Sequence, residues 1–191
     1  SGKITSSRSS QVGYEGKPLD SRQTLYWKAM VWDEAGEASP WSETGRWTMG
    51  LLEPSDWTAR WIGNREDAYP DSTLTTPAPY FRKTFRINKP VKQAKAYICG
   101  LGFYEMYLNG ERVGDQVLAP AVTNFDRRPL KKMLYFFDDQ SNQRVLYNTF
   151  DVTSLVQKAE NTVGVLLGNG WYNQRDRTVE GCMWYDTPRL L

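Results

Sequence analysis

No stretch of this sequence keeps an apolar 3.6-residue period through three turns; strand-length alternation broken by turn residues runs from end to end instead. The clearest case is Phe103-Tyr104-Glu105-Met106-Tyr107-Leu108, then Asn109-Gly110, then Glu111-Arg112-Val113. Asn-Gly between two such runs predicts a type I′ hairpin turn, because both central residues must take positive φ. Residues 80–87, 95–99, 143–150 and 162–167 read as further strands, with Val145, Tyr147 and Thr149 sharing one face. Residues 151–156 suit a single helical turn, with Asp151 capping its free amides. Earlier in the chain, 26–32 is a strand with Trp27, Ala29 and Val31 on one face. It stops at Asp33-Glu34-Ala35-Gly36, and Trp47-Thr48-Met49 returns. Residues 50–55 break the pattern, 57–62 start a second unit, and 63–79 form a polar, proline-bearing loop. The expectation is an all-β protein of two sandwich-like units.

At 191 residues the chain has room for one ordinary domain or two small ones. Lys and Arg number 24 against 22 Asp and Glu, a net charge of +2, so no overall field recruits nucleic acid. No apolar run approaches the ~20 residues of a membrane span, and the N-terminus lacks a basic start followed by an apolar stretch. Histidine is absent, which removes Ser-His-Asp and Cys-His catalysis and imidazole-bound metal. Cys99 and Cys182 are too few for a four-thiolate zinc site; Cys99 reads as a buried thiol, and whether the two pair is left open. No run of calcium ligands occurs, so neither metal nor cofactor is expected.

Glycoside cleavage needs two carboxyl groups roughly 5–9.5 Å apart. Asp138-Asp139 and Glu66-Asp67 lie in polar loop stretches and read as solvated charges, so no catalytic residue is assigned. Arg127, Arg128, Lys131 and Lys132 form a lone basic cluster of the same kind. Gly100-Leu101-Gly102 follows a strand but lacks the third glycine and the helix of a dinucleotide fingerprint.

Aromatic residues make up 14% of the chain. Such residues fill β-sandwiches, and Trp and Tyr also suit sugar recognition, with a flat apolar face beside a polar tip. One cluster favours the second use. After the strand at 162–167 and the turn Gly168-Asn169-Gly170 come Trp171, Tyr172, Asn173, Gln174, Arg175 and Asp176. Loops at the end of a sandwich are where binding residues gather. Asn169, Trp171, Tyr172, Asn173, Arg175 and Asp176 are therefore the candidate sugar-binding residues; the alternative is that Trp171 and Tyr172 turn inward and cap the core.

An ordered set of motifs carries a resemblance. Tyr26-Trp27-Lys28-Ala29-Met30-Val31-Trp32-Asp33, Gly36 and Ser39-Pro40-Trp41-Ser42-Glu43 resemble the last strands of a fibronectin type III-like domain. Met49-Gly50-Leu51-Leu52, 56–63, Pro79-Tyr80-Phe81-Arg82-Lys83, 100–110 and 167–172 follow in order. Together they are similar to the N-terminal region of bacterial α-L-rhamnosidases of glycoside hydrolase family 78.

That resemblance implies an incomplete fibronectin type III-like sandwich at 1–50, whose first strands lie upstream. A linker and first strand follow at 51–63, and a jelly-roll β-sandwich at 64–191 that continues beyond the last residue. It also implies a downstream (α/α)₆ catalytic domain as partner in the same polypeptide, holding the acidic residues that cleave terminal α-L-rhamnose with inversion. Rhamnose-containing glycans are the expected ligands, and a periplasmic or extracellular setting is implied. Residues 129–144 look longer than the usual connection. Strand edges left uncovered by a partial sandwich predict cover by another chain, including a dimer. The expected function is non-catalytic support of the catalytic domain with carbohydrate binding; the alternative is a structural spacer that binds no sugar. An independent enzyme has no nucleophile–base pair in its favour.

Overall fold

The computed structural model describes residues 2–6, 8, 10, 12–64, 77–121, 123, 125, 144–174 and 183–191. It divides into two compact units, Ser1–Thr58 and Ala59–Leu191. Among the described residues both are all-β, apart from one 3₁₀ turn at Pro54–Asp56.

In the first unit β1 (Thr24–Trp27) pairs antiparallel with β2 (Gly45–Thr48), setting Leu25 opposite Trp47. The strand expected to run on to residue 32 leaves the ladder after Trp27. Its partner segment there holds Pro40, which has no N–H to give, between two serines. The serines maintain the pairing in another form. Ala29 N–H donates to Ser42 Oγ (2.9 Å) and Val31 N–H to Ser39 Oγ (3.1 Å). The Ser42 and Ser39 amides donate back to the Ala29 and Val31 carbonyls at 2.8 and 2.9 Å. Trp27, Ala29 and Val31 are all exposed, and none of the described residues of this unit is buried. A two-stranded ribbon has no second layer to cover its faces.

A side-chain clip ties the entry to β1 to the 3₁₀ turn. Ser21 Oγ donates to the Asp56 carboxylate and accepts from Leu52 N–H (2.8 Å). Glu53 N–H (3.0 Å) and Arg22 Nη1 (3.4 Å) also donate to Asp56. The Ser21 bond foremost, then Glu53 N–H and the Arg22 charge, hold the Asp56 carboxyl below its ordinary pKa. A group stabilised as the anion supports the fold above its unfolded pKa and ceases to as pH falls through its lower folded one. The Leu52 amide shift should therefore titrate with a midpoint below that of a free aspartate; a midpoint at or above it would show that the clip does not form.

The second unit is built on an antiparallel sheet of order β3-β9-β6-β7. Its strands are β3 (Tyr80–Ile87), β6 (Tyr104–Leu108), β7 (Glu111–Arg112) and β9 (Ala159–Leu167). Register sets Phe81, Val165 and Met106 in one row and Val163 beside Leu108 in the next. Alternation turns these rows inward. There they meet Ala96 and Ile98 of β4 (Lys95–Ile98), Phe150 of β8 (Asn148–Asp151), and Val152 just beyond. Leu167, at 0% exposure, sits at the centre; each fully buried aliphatic side chain of this kind contributes roughly 1.5–3 kcal/mol.

The hairpin forms as its sequence predicts, with φ of 54° at Asn109 and 88° at Gly110. Residues 151–156 make one turn: Asp151 Oδ1 accepts from Thr153 N–H (3.0 Å), and Val156 N–H reaches the Val152 carbonyl (3.2 Å). Two expected strands are shorter than their patterns. Among the described residues the run at 143–150 is strand only from Asn148, because β5 (Gly100–Leu101) leaves β4's partner to pair with β12 (Arg189–Leu190). Of the run at 57–62, only Ile62 pairs, as a bridge to Leu190.

Candidate functional site

The loop after β9 is held by contact between two backbones. Gly168 N–H donates to the Phe103 carbonyl at 2.6 Å. Gly102 has φ of 131°, and a Cβ there would stand 2.2 Å from the Gly168 oxygen; one on Gly170 would stand 2.9 Å from Phe103 N. Both glycine-bearing turns are therefore needed for their missing side chains, which accounts for Gly-Leu-Gly without any phosphate cradle.

Beyond this clasp, Asn173 N–H donates to the Asn169 carbonyl (3.2 Å) and Asn173 Nδ2 to Asn169 Oδ1 (3.0 Å). β10 (Asn173–Gln174) then pairs with β11 (Met183–Trp184), and Tyr185 N–H reaches the Tyr172 carbonyl at 3.1 Å. That pairing lays the Tyr172 ring on Tyr185, centroids 5.7 Å apart and planes 17° from parallel. Phe125 meets both rings edge-on, at 5.3 and 5.5 Å. Trp171 is 38% exposed. Asn173 Oδ1 is buried and has no hydrogen-bond partner among the described residues. Burial chiefly, and then the Asp186 charge, push the Tyr172 phenol above its ordinary pKa, while Arg189 opposes them. Asp186 and Arg189 are joined at 3.1 Å, so an ion pair borders the aromatic trio.

The structure thus brings Asn169, Tyr172 and Asn173 together with Trp171 beside them; Arg175 and Asp176 lie outside the described residues. So do Cys182, the acidic pairs Glu66-Asp67 and Asp138-Asp139, the basic cluster at 127–132, and residues 129–143 of the long connection. Phe125, Tyr185, Asp186 and Arg189 were not foreseen, although Tyr185-Asp186 repeats the aromatic–polar pairing that marked Trp171 to Asp176. Cys99 is a free thiol, 2% exposed, donating to the Leu146 carbonyl at 3.2 Å. Burial pushes its pKa up to about 12, so it is no nucleophile at neutral pH. Among the described residues no cluster of His, Cys, Asp and Glu could hold a metal ion, and no helix is long and apolar enough to cross a membrane.

Residues 89–136 and 137–191, more than half of the chain, match the family described as the α-L-rhamnosidase N-terminal domain. The chain belongs to that family. Residues 1–53 match a Rha78A-like N-terminal immunoglobulin domain, a sandwich of the same general architecture as the type III fold. An α-L-rhamnosidase of Formosa agariphila is 39% identical over 91% of this chain and 18% of its own. Among solved structures, the α-L-rhamnosidase from Dictyoglumus thermophilum is 37% identical with a TM-score of 0.71, over 93% of this chain and 19% of that one. The Aspergillus terreus enzyme is 31% identical with a TM-score of 0.73, over 92% and 19%. This rhamnosidase N-terminal chain therefore spans about a fifth of the length of the relatives it matches.

Proposed function

We propose that this chain is a non-catalytic accessory part of an α-L-rhamnosidase that supports the catalytic domain and binds rhamnose-containing glycan at the loop after β9. The match of residues 89–191 to the N-terminal domain family carries the first half of this reading. The second half is supported by the aromatic trio, bordered by the Asp186–Arg189 pair and by an unbonded Asn173 Oδ1. A sugar hydroxyl would satisfy that oxygen, and Trp171 offers an exposed apolar face.

Titration of the chain with L-rhamnose, followed by NMR and calorimetry, is expected to shift the Trp171 indole N–H and the Asn173 side-chain amide with saturation in the millimolar range. Trp171→Ala should remove the response. Unchanged spectra at tens of millimolar would overturn the binding half. The same chain is expected to release no aryl alcohol from an aryl α-L-rhamnoside; turnover would overturn the non-catalytic half.

One observation favours a spacer that binds no sugar. Tyr185 already covers one face of Tyr172 and Phe125 abuts its ring, as they would in a cluster whose task is to hold the loop. The titration separates the two readings.

A further inference from the structure

Gly164 lies in the middle of β9, where glycine weakens a strand. It is not needed for a turn, since it is not among the glycines of positive φ. Nor does it mark a bulge: pairing runs unbroken through it, to Arg82 on one side and Tyr107 on the other. Close packing of the protein on itself is also excluded among the described residues. A Cβ at Gly164 would come no nearer than 4.0 Å to any atom, the Phe81 carbonyl oxygen. A strand glycine with none of these causes marks a place where something else comes close to the backbone.

Its neighbours say what kind of molecule. Val163 and Val165 face the core, so Gly164 opens on the outer face as a notch between Arg82 and Tyr107. Of the other charges of this face, Arg112 lies 3.6 Å from Glu105, and Arg86, which forms no ion pair among the described residues, has the carboxylate residue Glu160 opposite it in register. Arg82 stands opposite the glycine and has no ion pair among the described residues. Across the notch, Tyr107 Oη donates to Glu105 Oε2 at 2.8 Å, which orients the phenol and leaves its oxygen to accept a hydroxyl proton. Tyr80, 80% exposed, is two residues before Arg82 on the same face, and its phenol bears electrostatically on that of Tyr107.

We propose that Arg82, Tyr107 and the Gly164 notch form a second saccharide site, on the outer face of this sheet, that takes a glycan bearing a carboxylate. The flat face of a pyranose lies over the glycine, its carboxylate engages the guanidinium fork of Arg82, and a hydroxyl bonds Tyr107. A neutral sugar leaves Arg82 unmatched. The site rests on the saccharide reading of the family and is independent of the loop after β9.

The test uses the 191-residue chain and oligogalacturonate as the probe, followed at the Gly164, Arg82 and Tyr107 amides. Saturable shifts are expected there, weakening with added salt and weaker by about tenfold with a fully methyl-esterified oligomer. Arg82→Gln should weaken binding by about the same factor, and Gly164→Leu, which fills the notch, should abolish it with the spectrum still dispersed. Trp171→Ala should leave it unchanged, which separates this site from the loop. Absence of shifts at Gly164, equal binding of the esterified oligomer, or full binding by Arg82→Gln would each overturn the proposal.

Discussion

Gly102→Ala is expected to dislodge the loop that carries Asn169, Trp171 and Tyr172 and to cost roughly 3 kcal/mol, the upper end of what a strained backbone conformation costs. Two penalties coincide. The residue's φ of 131° is one that L side chains rarely adopt, and the new Cβ would stand 2.2 Å from the Gly168 oxygen, a backbone atom that cannot rotate aside. Separation of the turns would also break the 2.6 Å bond from Gly168 N–H to the Phe103 carbonyl. Gly110→Ala isolates the first penalty: its φ is 88°, but nothing lies within 4 Å of its missing Cβ, so about 1 kcal/mol is expected. Urea unfolding of the two variants measures the difference. The Trp171 and Tyr172 resonances should move in Gly102→Ala and stay in place in Gly110→Ala. Equal losses in both would mean that the contact between the turns bears no load.

The same comparison shows what could be read from the sequence. The Asn109-Gly110 hairpin was legible because its cause is local: two adjacent residues that tolerate positive φ. β3 was legible because an edge strand beside a buried one keeps its alternation, with Phe81 and Phe85 inward. The first unit was legible in part: its exposure fits the incomplete sandwich expected of residues 1–50, but its strand ends at Trp27, short of residue 32. Trp27, Ala29 and Val31 carry the alternation of a buried face, yet alternation records only that residues share a side, not that another layer covers it. In the site, Trp171 and Tyr172 were visible as a local cluster, and the family match agrees with the motifs that first suggested a rhamnosidase region. Phe125 and Tyr185 were not visible, because only the pairing of β10 with β11 and the return of the chain place them against Tyr172. Gly168 and Gly170 were read as a turn, and Gly102 only as part of a fingerprint that fails. The reason that Gly102 and Gly170 share is a contact between two segments distant in sequence.

Asn161 is the case where nothing local signalled importance, and it should give the other large effect. It is 1% exposed, the only buried polar residue among those described. Its Oδ1 accepts from Gln157 N–H and Asn109 Nδ2, both at 2.9 Å, and its Nδ2 donates to the carbonyls of Gln157 (2.8 Å) and Ala159 (3.2 Å). Asn109 in turn donates from Nδ2 to the Leu155 carbonyl and accepts at Oδ1 from Thr162 N–H, both at 2.8 Å. One side chain therefore joins the hairpin turn, the 152–157 turn and the start of β9. Asn161→Leu keeps the volume but removes four bonds. At about 1–3 kcal/mol for each group left without a partner, and with water able to reach exposed Gln157, the expected loss is roughly 3 kcal/mol. Asn109→Gly retains the positive φ and deletes only the side chain, so a double-mutant cycle should show coupling of roughly 1 kcal/mol. Strict additivity would dissolve the network into independent bonds. Ala159, held at φ of 114°, supplies the converse test. Ala159→Gly should stabilise the wild-type chain by about 1 kcal/mol, since the network imposes a conformation that alanine resists. It should gain less in the Asn161→Leu background, where that constraint is gone.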